Sequence, residues 1–363
     1  MQIFRQTLSW VLARDRRRSW LLGFLIGMGM SACQPFFPQS SSIVPTSSPH
    51  LADCRRVDHA LGTTNICGSP QRIAVLSPHI LDQVLALGEQ PIAYAETIAL
   101  DLDRFDDPQG QIPYLGTYVT TQPINLGDRK TPSLEKLIRL QPDLILGEEW
   151  LSKAQYPLLS RIAPTLLFTD EKQGSQHWSN NIEQIGQALG RKAIAQQILT
   201  DAAGQLAATR KILAPVVATY PQVLVLSINP MMTNVEVAAD STVGYLLEQL
   251  GFELVLPQAA IGSAARWQPV SLEILPSLEA DIVIVIGWDH ATLYGVEDRL
   301  QAAWHRIPLL ATLPAAQADR IFFVDYQLWG SITRGAITDR LLLSRLPEML
   351  LPLVHPERTK PSG

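Results

Sequence analysis

Charge is scarce in this chain. Asp, Glu, Lys and Arg make up 17% of its 363 residues, and after residue 18 no run of Lys or Arg is longer than two. Taking away residues 1–32 removes five Arg and one Asp and leaves 24 basic against 33 acidic side chains, a net of −9. A nucleic-acid partner needs a basic face to neutralise phosphates, so that class is excluded. There are three cysteines, and the seven histidines are scattered with no close-spaced pair on a helix. The sequence has no G-x-S-x-G elbow, no H-E-x-x-H pair, no Walker loop and no G-x-G-x-x-G after a strand. A metal cluster assembled only in three dimensions stays open at this point, but each histidine taken singly reads as packing or surface.

What is present describes a globular protein. Hydrophobic residues reach 47%, and the length allows two domains with sizeable cores.

The first fifty residues read as targeting and tether. Arg14, Arg16, Arg17 and Arg18 form a basic start, Trp20–Met30 is an apolar run, and Met30-Ser31-Ala32-Cys33 follows. Small residues directly before Cys33 resemble the bacterial lipobox, which implies cleavage of 1–32 and lipidation of Cys33. A plain anchor helix or an ordinary signal peptide is the alternative. Arg17-Arg18-Ser19-Trp20-Leu21 also loosely resembles a twin-arginine export signal, so the export route stays open. Residues 33–53 are rich in Pro and Ser and read as a flexible tether. An exported chain meets an oxidising compartment, where Cys54 and Cys67 pair as a disulfide. A metal site from the two cysteines and His59 is the other reading.

The most informative pattern occurs twice. Ser133-Leu134-Glu135 is followed by Asp143 and the run Leu144-Ile145-Leu146; Ser271-Leu272-Glu273 is followed by Asp281 and the run Ile282–Ile286. Each copy reads as a helix leading into a short, fully apolar strand of the kind buried in a parallel sheet. A repeat separated by more than a hundred residues implies two similar α/β lobes and not a solenoid, whose period is a few tens of residues. Taken singly, each glutamate is accounted for by the helix macrodipole.

In chain order, Ile73–Leu76 is a strand, Ile80–Leu87 a helix and Pro91–Tyr94 a strand. The acidic loop with Asp101, Asp103, Asp106 and Asp107 lacks the glycine and final glutamate of an EF-hand and reads as solvated surface. Tyr156–Ile162 and Trp178–Leu189 are helices with the strand Thr165–Phe168 between them. Arg191–Leu213 runs without proline as a helix of roughly 35 Å, long enough to join two lobes, and Pro215 and Pro221 end it. The second lobe has strands at Gln222–Ile228, Phe252–Leu256, Ile282–Ile286 and Ile321–Val324, with helices at Val243–Leu250, Leu300–His305 and Asp339–Leu350. The expected organisation is therefore 54–190 as the N-terminal lobe, 191–213 as the interlobe helix, 214–350 as the C-terminal lobe and 351–363 as a tail.

Aromatic and arginine side chains recur where strands end: Tyr94, Arg129, Trp150, Arg266, Trp267, Trp288, Trp329 and Arg334. Ligands of open α/β sheets bind at that edge, aromatics wall clefts, and guanidinium groups hold carboxylate or hydroxamate oxygens bidentately. Together they point to an anionic, partly apolar ligand.

The two glutamate units, with Cys54–Gly62, Pro70–Leu76, Gln141-Pro142-Asp143-Leu144-Ile145, Trp304-His305-Arg306-Ile307-Pro308 and Arg320–Asp325, resemble the periplasmic binding proteins of ABC importers for ferric siderophores, ferric dicitrate, haem and cobalamin. The resemblance runs from Cys54 to about Leu350. It implies two Rossmann-like α/β lobes with parallel sheets, joined by one long rigid helix, and a shallow interlobe cleft that closes little. It further implies a monomeric, non-enzymatic binding protein, lipid-anchored in the periplasm, with no cofactor and no directly bound metal; the cargo is an Fe(III) chelate. Glu135 and Glu273 then sit at the lobe tips and meet arginines of the two permease subunits. Arg129, three residues before the motif proline, stands where hydroxamate-binding members contact ligand oxygens, and Trp329 aligns with a cleft aromatic. Gln327 replaces a neighbouring tryptophan, which together with the extra arginines favours a citrate or carboxylate chelate. Cobalamin or haem is the alternative cargo, with Met231, Met232 or His290 as haem ligands; an extracytoplasmic siderophore-processing enzyme is the alternative from another class.

Overall fold

The computed structural model describes residues 54–96, 100–169, 178–238, 241–257, 268–288, 295–330 and 334–355. Cys33, Arg266, Trp267 and His290 lie outside the described residues.

The N-terminal lobe opens with an antiparallel hairpin, β1 (Cys54–His59) and β2 (Gly62–Cys67), which the sequence reading did not anticipate. Cys54 stands opposite Cys67 in its register, and the two form a disulfide. The hairpin docks on the rest of the lobe through Ala60 N–H to Leu167 O (2.8 Å) and Arg55 Nη2 to Ala188 O (3.0 Å). Replacing Cys54 with Ser is expected to lower the unfolding free energy by about 3 kcal/mol, because the crosslink removes loop freedom from the unfolded chain. Urea unfolding of the two forms checks this; equal midpoints would contradict it.

Next come β3 (Ile73–Val75), α1 (Pro78–Ala86), β4 (Pro91–Glu96), α2 (Pro108–Gln111), β5 (Ile124–Asp128), α3 (Leu134–Leu140), β6 (Leu144–Glu148), α4 (Glu149–Ser152), α5 (Tyr156–Ile162), β7 (Thr165–Phe168) and α6 (Ser179–Ala188). The five strands after the hairpin form a parallel sheet in the order β5-β4-β3-β6-β7. Strands β3, β6 and β7 are buried along their whole length, as strands covered on both faces must be. On one face Val75, Tyr94 and Leu146 pack against Ile80, Leu81 and Val84 of α1 and Ile182 and Ile185 of α6. On the other, Ala74, Ala93 and Ile145 meet Leu137 of α3 and Leu159 of α5.

Helix α7 (Lys192–Thr219) has 28 residues, about 42 Å at 1.5 Å per residue. Ala195, Ile198 and Ala202 contact the first lobe, whereas Leu206, Leu213 and Val216 contact the second. Pro215 does not end it. Its missing N–H breaks one rung, but Val216 is buried in the second core, and that packing carries the helix a further turn.

The C-terminal lobe comprises β8 (Gln222–Ile228), β9 (Val235–Val237), α8 (Thr242–Leu250), β10 (Glu253–Leu254), β11 (Gln268–Pro269), β12 (Ile282–Gly287), α9 (Val296–His305), α10 (Pro314–Gln317), β13 (Ile321–Asp325), α11 (Tyr326–Trp329) and α12 (Ala336–Leu350). Its sheet is mixed. Strands β10, β8, β12 and β13 are parallel, but β9 and β11 extend the sheet antiparallel along one edge. The second Ser-Leu-Glu unit is a 3₁₀ turn, Leu272–Ser277, where an α-helix was expected. Pro276 explains this, since its ring clashes with the carbonyl four residues back.

The acidic residue of each unit has a structural task. Asp143 accepts from the N–H groups of Gln71 (2.8 Å) and Arg72 (2.9 Å) at the entrance to β3, and Asp281 accepts from Gln222 N–H (3.0 Å) at the entrance to β8. In both lobes the carboxylate clasps the start of the neighbouring strand. Helix α12 crosses the waist: Ile337 belongs to the first core, and Leu342, Leu343, Leu346 and Leu350 to the second.

Candidate ligand cleft and docking face

All strands of the first sheet run the same way, so their carboxyl ends gather Ser77, Glu96, Arg129, Glu148 and Trp150 at one edge. Arg129 follows β5, where Gly127 adopts φ +87, a conformation that favours glycine. Asn125 fixes the turn by accepting from Gly127 N–H (2.8 Å) and donating to Leu100 O and Leu102 O (3.0 and 2.9 Å). Arg129 N–H then donates to Glu96 O (2.9 Å).

The Arg129 side chain is 8% exposed, and its Nε and Nη1 have no hydrogen-bond partner among the described residues. Its guanidinium carbon lies 5.5 Å from the ring centre of Trp150, which is 53% exposed. A buried guanidinium with unmatched donors is expensive to maintain, and an aromatic face offsets only part of that cost.

Tyr94 is placed differently from the sequence expectation. It is 0% exposed, lies 5.3 Å ring to ring from Phe105, and donates its phenol to Glu96 Oε2 (2.8 Å). Burial, reinforced by the Glu96 charge, pushes its phenol well above the usual range. It supports the edge from beneath and does not wall a cleft. Glu148, also buried, lies against the His79 ring nitrogen Nδ1 and accepts from Ser77 Oγ (3.1 Å), while Ser77 caps α1. The sequence reading missed this group, although Ser77-Pro78-His79 at a strand end was its signal.

In the second lobe Trp288 is half-buried just past β12, and its N–H donates to Ile228 O (3.3 Å). Trp329 ends α11 at 5% exposure and packs among the second-lobe core residues. Arg334 is likewise 5% exposed and precedes α12. Asp325 caps α11 by accepting from Leu328 N–H (2.9 Å), and its other oxygen accepts from Tyr114 Oη (2.6 Å), a first-lobe residue. Replacing Tyr114 with Phe is expected to weaken ligand binding several-fold by loosening this cross-lobe tie, at a stability cost of about 1 kcal/mol. Parallel titration and thermal melts check it; an unchanged affinity would contradict it.

Both repeated glutamates are exposed. Glu135 lies in the first turn of α3 and pairs with Arg139; Glu273 accepts from Ser271 Oγ, which holds its carboxyl below the usual range. Ile138 and Ile274 are exposed nearby in sequence. Met231, one of the haem-ligand alternatives, is largely exposed, and Met232 is half-buried. Among the described residues no group of three or more His, Cys, Asp or Glu is placed to hold a metal ion, and no helix is long and apolar enough to cross a membrane.

With this geometry in view, the sequence profile of the periplasmic binding protein family matches residues 73–328, and the chain belongs to that family. The ferric-anguibactin-binding protein FatB of Vibrio anguillarum is 25% identical over 315 residues, covering 85% of this chain and 89% of that protein. The Fe(3+)-citrate-binding protein YfmC of Bacillus subtilis is 25% identical over 281 residues, covering 76% and 80%. Among solved structures, Staphylococcus aureus SirA complexed with staphyloferrin B superposes with a TM-score of 0.68 at 23% identity, covering 82% of this chain and 98% of that one. The two-lobed α/β fold bridged by a long helix is shared with that solved structure.

Proposed function

We propose that this protein is the substrate-binding component of an ABC importer, which captures a ferric siderophore of carboxylate or citrate type between its lobes and hands it to the permease unaltered. The observation that carries the reading is Arg129: a buried guanidinium at the carboxyl edge of a parallel sheet, with donors unmatched among the described residues and an exposed tryptophan beside it. Planar forked donors match carboxylate oxygens, so an anionic chelate is the kind of partner this guanidinium suits. Relatives whose names record ferric anguibactin and ferric citrate support the cargo class. In this reading Trp150, Trp288 and Arg334, with Arg266 and Trp267, complete the ligand surface. Glu135 and Glu273 dock the two permease subunits, and Cys33 carries the lipid that keeps a monomer at the membrane outside the cytoplasm.

Titration of intrinsic tryptophan fluorescence with ferric citrate tests this. The expected result is saturable quenching at one chelate per chain. No response to ferric citrate or to any other ferric carboxylate chelate would overturn the assignment of cargo.

A further inference from the structure

We propose that Asp82, in the second turn of the first-lobe helix α1, is a positioning residue for ligand capture: it holds the start of α12, and through it Arg334. The inference rests on the reading of Arg334 as a ligand residue.

The first N–H groups of any α-helix lack partners within the helix, and a side chain at the N-cap usually supplies one. At α12 the N-cap is Gly335, which has no side chain to offer. The cap comes instead from Asp82 on α1. Its Oδ1 accepts from Ile337 N–H (3.0 Å), and its Oδ2 accepts from Thr338 N–H (2.9 Å) and Thr338 Oγ1 (2.5 Å). Asp82 and Thr338 are both 0% exposed. A carboxylate at this end of a helix also meets the positive end of the macrodipole.

Gly335 makes the contact possible. Its φ is −176, ordinary extended backbone, so left-handed geometry is not what selects glycine here. A Cβ at this position would stand 2.1 Å from the Asp82 carboxylate carbon, so the glycine is required by close approach. One position before it stands Arg334, itself buried, so the residue that meets the first lobe is its immediate chain neighbour. A second first-lobe bond secures the same turn, from Trp178 Nε1 to Asp339 Oδ2 (2.8 Å).

The first turn of α12 is thus fastened to the first lobe, although its later turns lie in the second-lobe core. Arg334 belongs to the second half of the sequence, yet it is referenced to the same rigid body that carries Arg129. Two arginines set by one lobe form a preorganised anion grip, whose geometry does not depend on how far the second lobe closes.

The test is a double-mutant cycle read by ferric citrate titration, with Asp82→Asn, Arg334→Ala and the double variant. Asp82→Asn is expected to raise Kd about tenfold in the Arg334 background and less than about twofold in the Arg334→Ala background, because coupled residues do not add. Unfolding midpoints should shift alike in both backgrounds. Thr338→Val removes only the hydroxyl bond, keeps the backbone cap, and is expected to raise Kd about threefold; it serves if Asp82→Asn does not fold. An equal loss of affinity in both backgrounds would show a general structural effect and overturn the inference. So would an unchanged Kd in both Asp82→Asn and Thr338→Val when Arg334→Ala alone weakens binding. If Arg334→Ala binds ferric citrate as the parent does, the ligand reading of Arg334 fails and the inference falls with it, while saturable binding by the parent leaves the proposed function standing.

Discussion

Replacing Arg129 with Ala is expected to weaken ferric citrate binding by about a hundredfold or more, while the ligand-free protein becomes no less stable. The two halves of this result share one cause. Without ligand, the guanidinium is buried with donors unmatched among the described residues, so its removal relieves a desolvation penalty. In the proposed complex an anionic chelate would receive a charge-assisted contact from it, and truncation would leave ligand oxygens unpaired. Arg129→Lys should recover only part of the loss, because an ammonium is a point donor without the planar fork. Trp150→Ala removes a partly exposed cation–π partner and is expected to cost only a few-fold in affinity. Titration calorimetry with parallel thermal melts separates these effects. A large drop in ligand-free stability for Arg129→Ala would mean that the arginine is a structural strut.

The second large effect is expected in transport. Reversing both charges, Glu135→Lys with Glu273→Lys, should reduce chelate uptake by cells at least about tenfold and leave chelate affinity unchanged. Both side chains are exposed, and neither anchors a helix: α3 is capped by Ser133, and the Glu273 turn is a short 3₁₀ segment. The Glu135–Arg139 pair spans one helical turn in solvent and adds little to stability. Each single reversal should give an intermediate defect, since two separated acidic contacts fix an orientation that one cannot. Uptake of radiolabelled ferric citrate in cells whose only copy is the variant provides the measurement. Unchanged uptake with normal expression would remove the docking role.

Stability should also depend on pH through Asp82. Burial outweighs the bonds from Thr338 and Ile337 and pushes its carboxyl from 3.8 up to about 6. Between those values the folded chain keeps a proton that the unfolded chain has released, so unfolding free energy falls as pH rises from about 4 to about 6, by about 3 kcal/mol from this group. In Asp82→Asn that slope should vanish; urea midpoints between pH 4 and 7 measure it, and an identical slope in the variant would contradict the assignment.

Much of this arrangement was legible in the residues because it is local. The apolar runs at Leu144 and Ile282 announce buried strands, and the absence of proline from Arg191 to Leu213 announces the long helix. Tyr156–Ile162 and Thr165–Phe168 fall where the pattern puts them. The misses have local causes overridden by tertiary ones. Pro215 reads as a stop, yet packing of Val216 on the second core carries α7 past it. The antiparallel edge strands β9 and β11 are three and two residues long, too short to show a period. The candidate site was legible as a set of residue types at strand ends, not as a geometry. Sequence cannot tell that Tyr94 lies beneath the edge and Trp150 stands out from it. Nor can it show that Asp82, an acid inside the apolar run Ile80–Leu85, caps a helix 255 positions away, since only the fold brings the two together.

The most direct measurement is native mass spectrometry of the protein purified from its own envelope under iron limitation. The account predicts one intact ferric chelate per chain, released on denaturation with its mass unaltered and lost from Arg129→Ala. A chelate recovered with changed mass, or the same co-purified mass in the arginine variant, would contradict it.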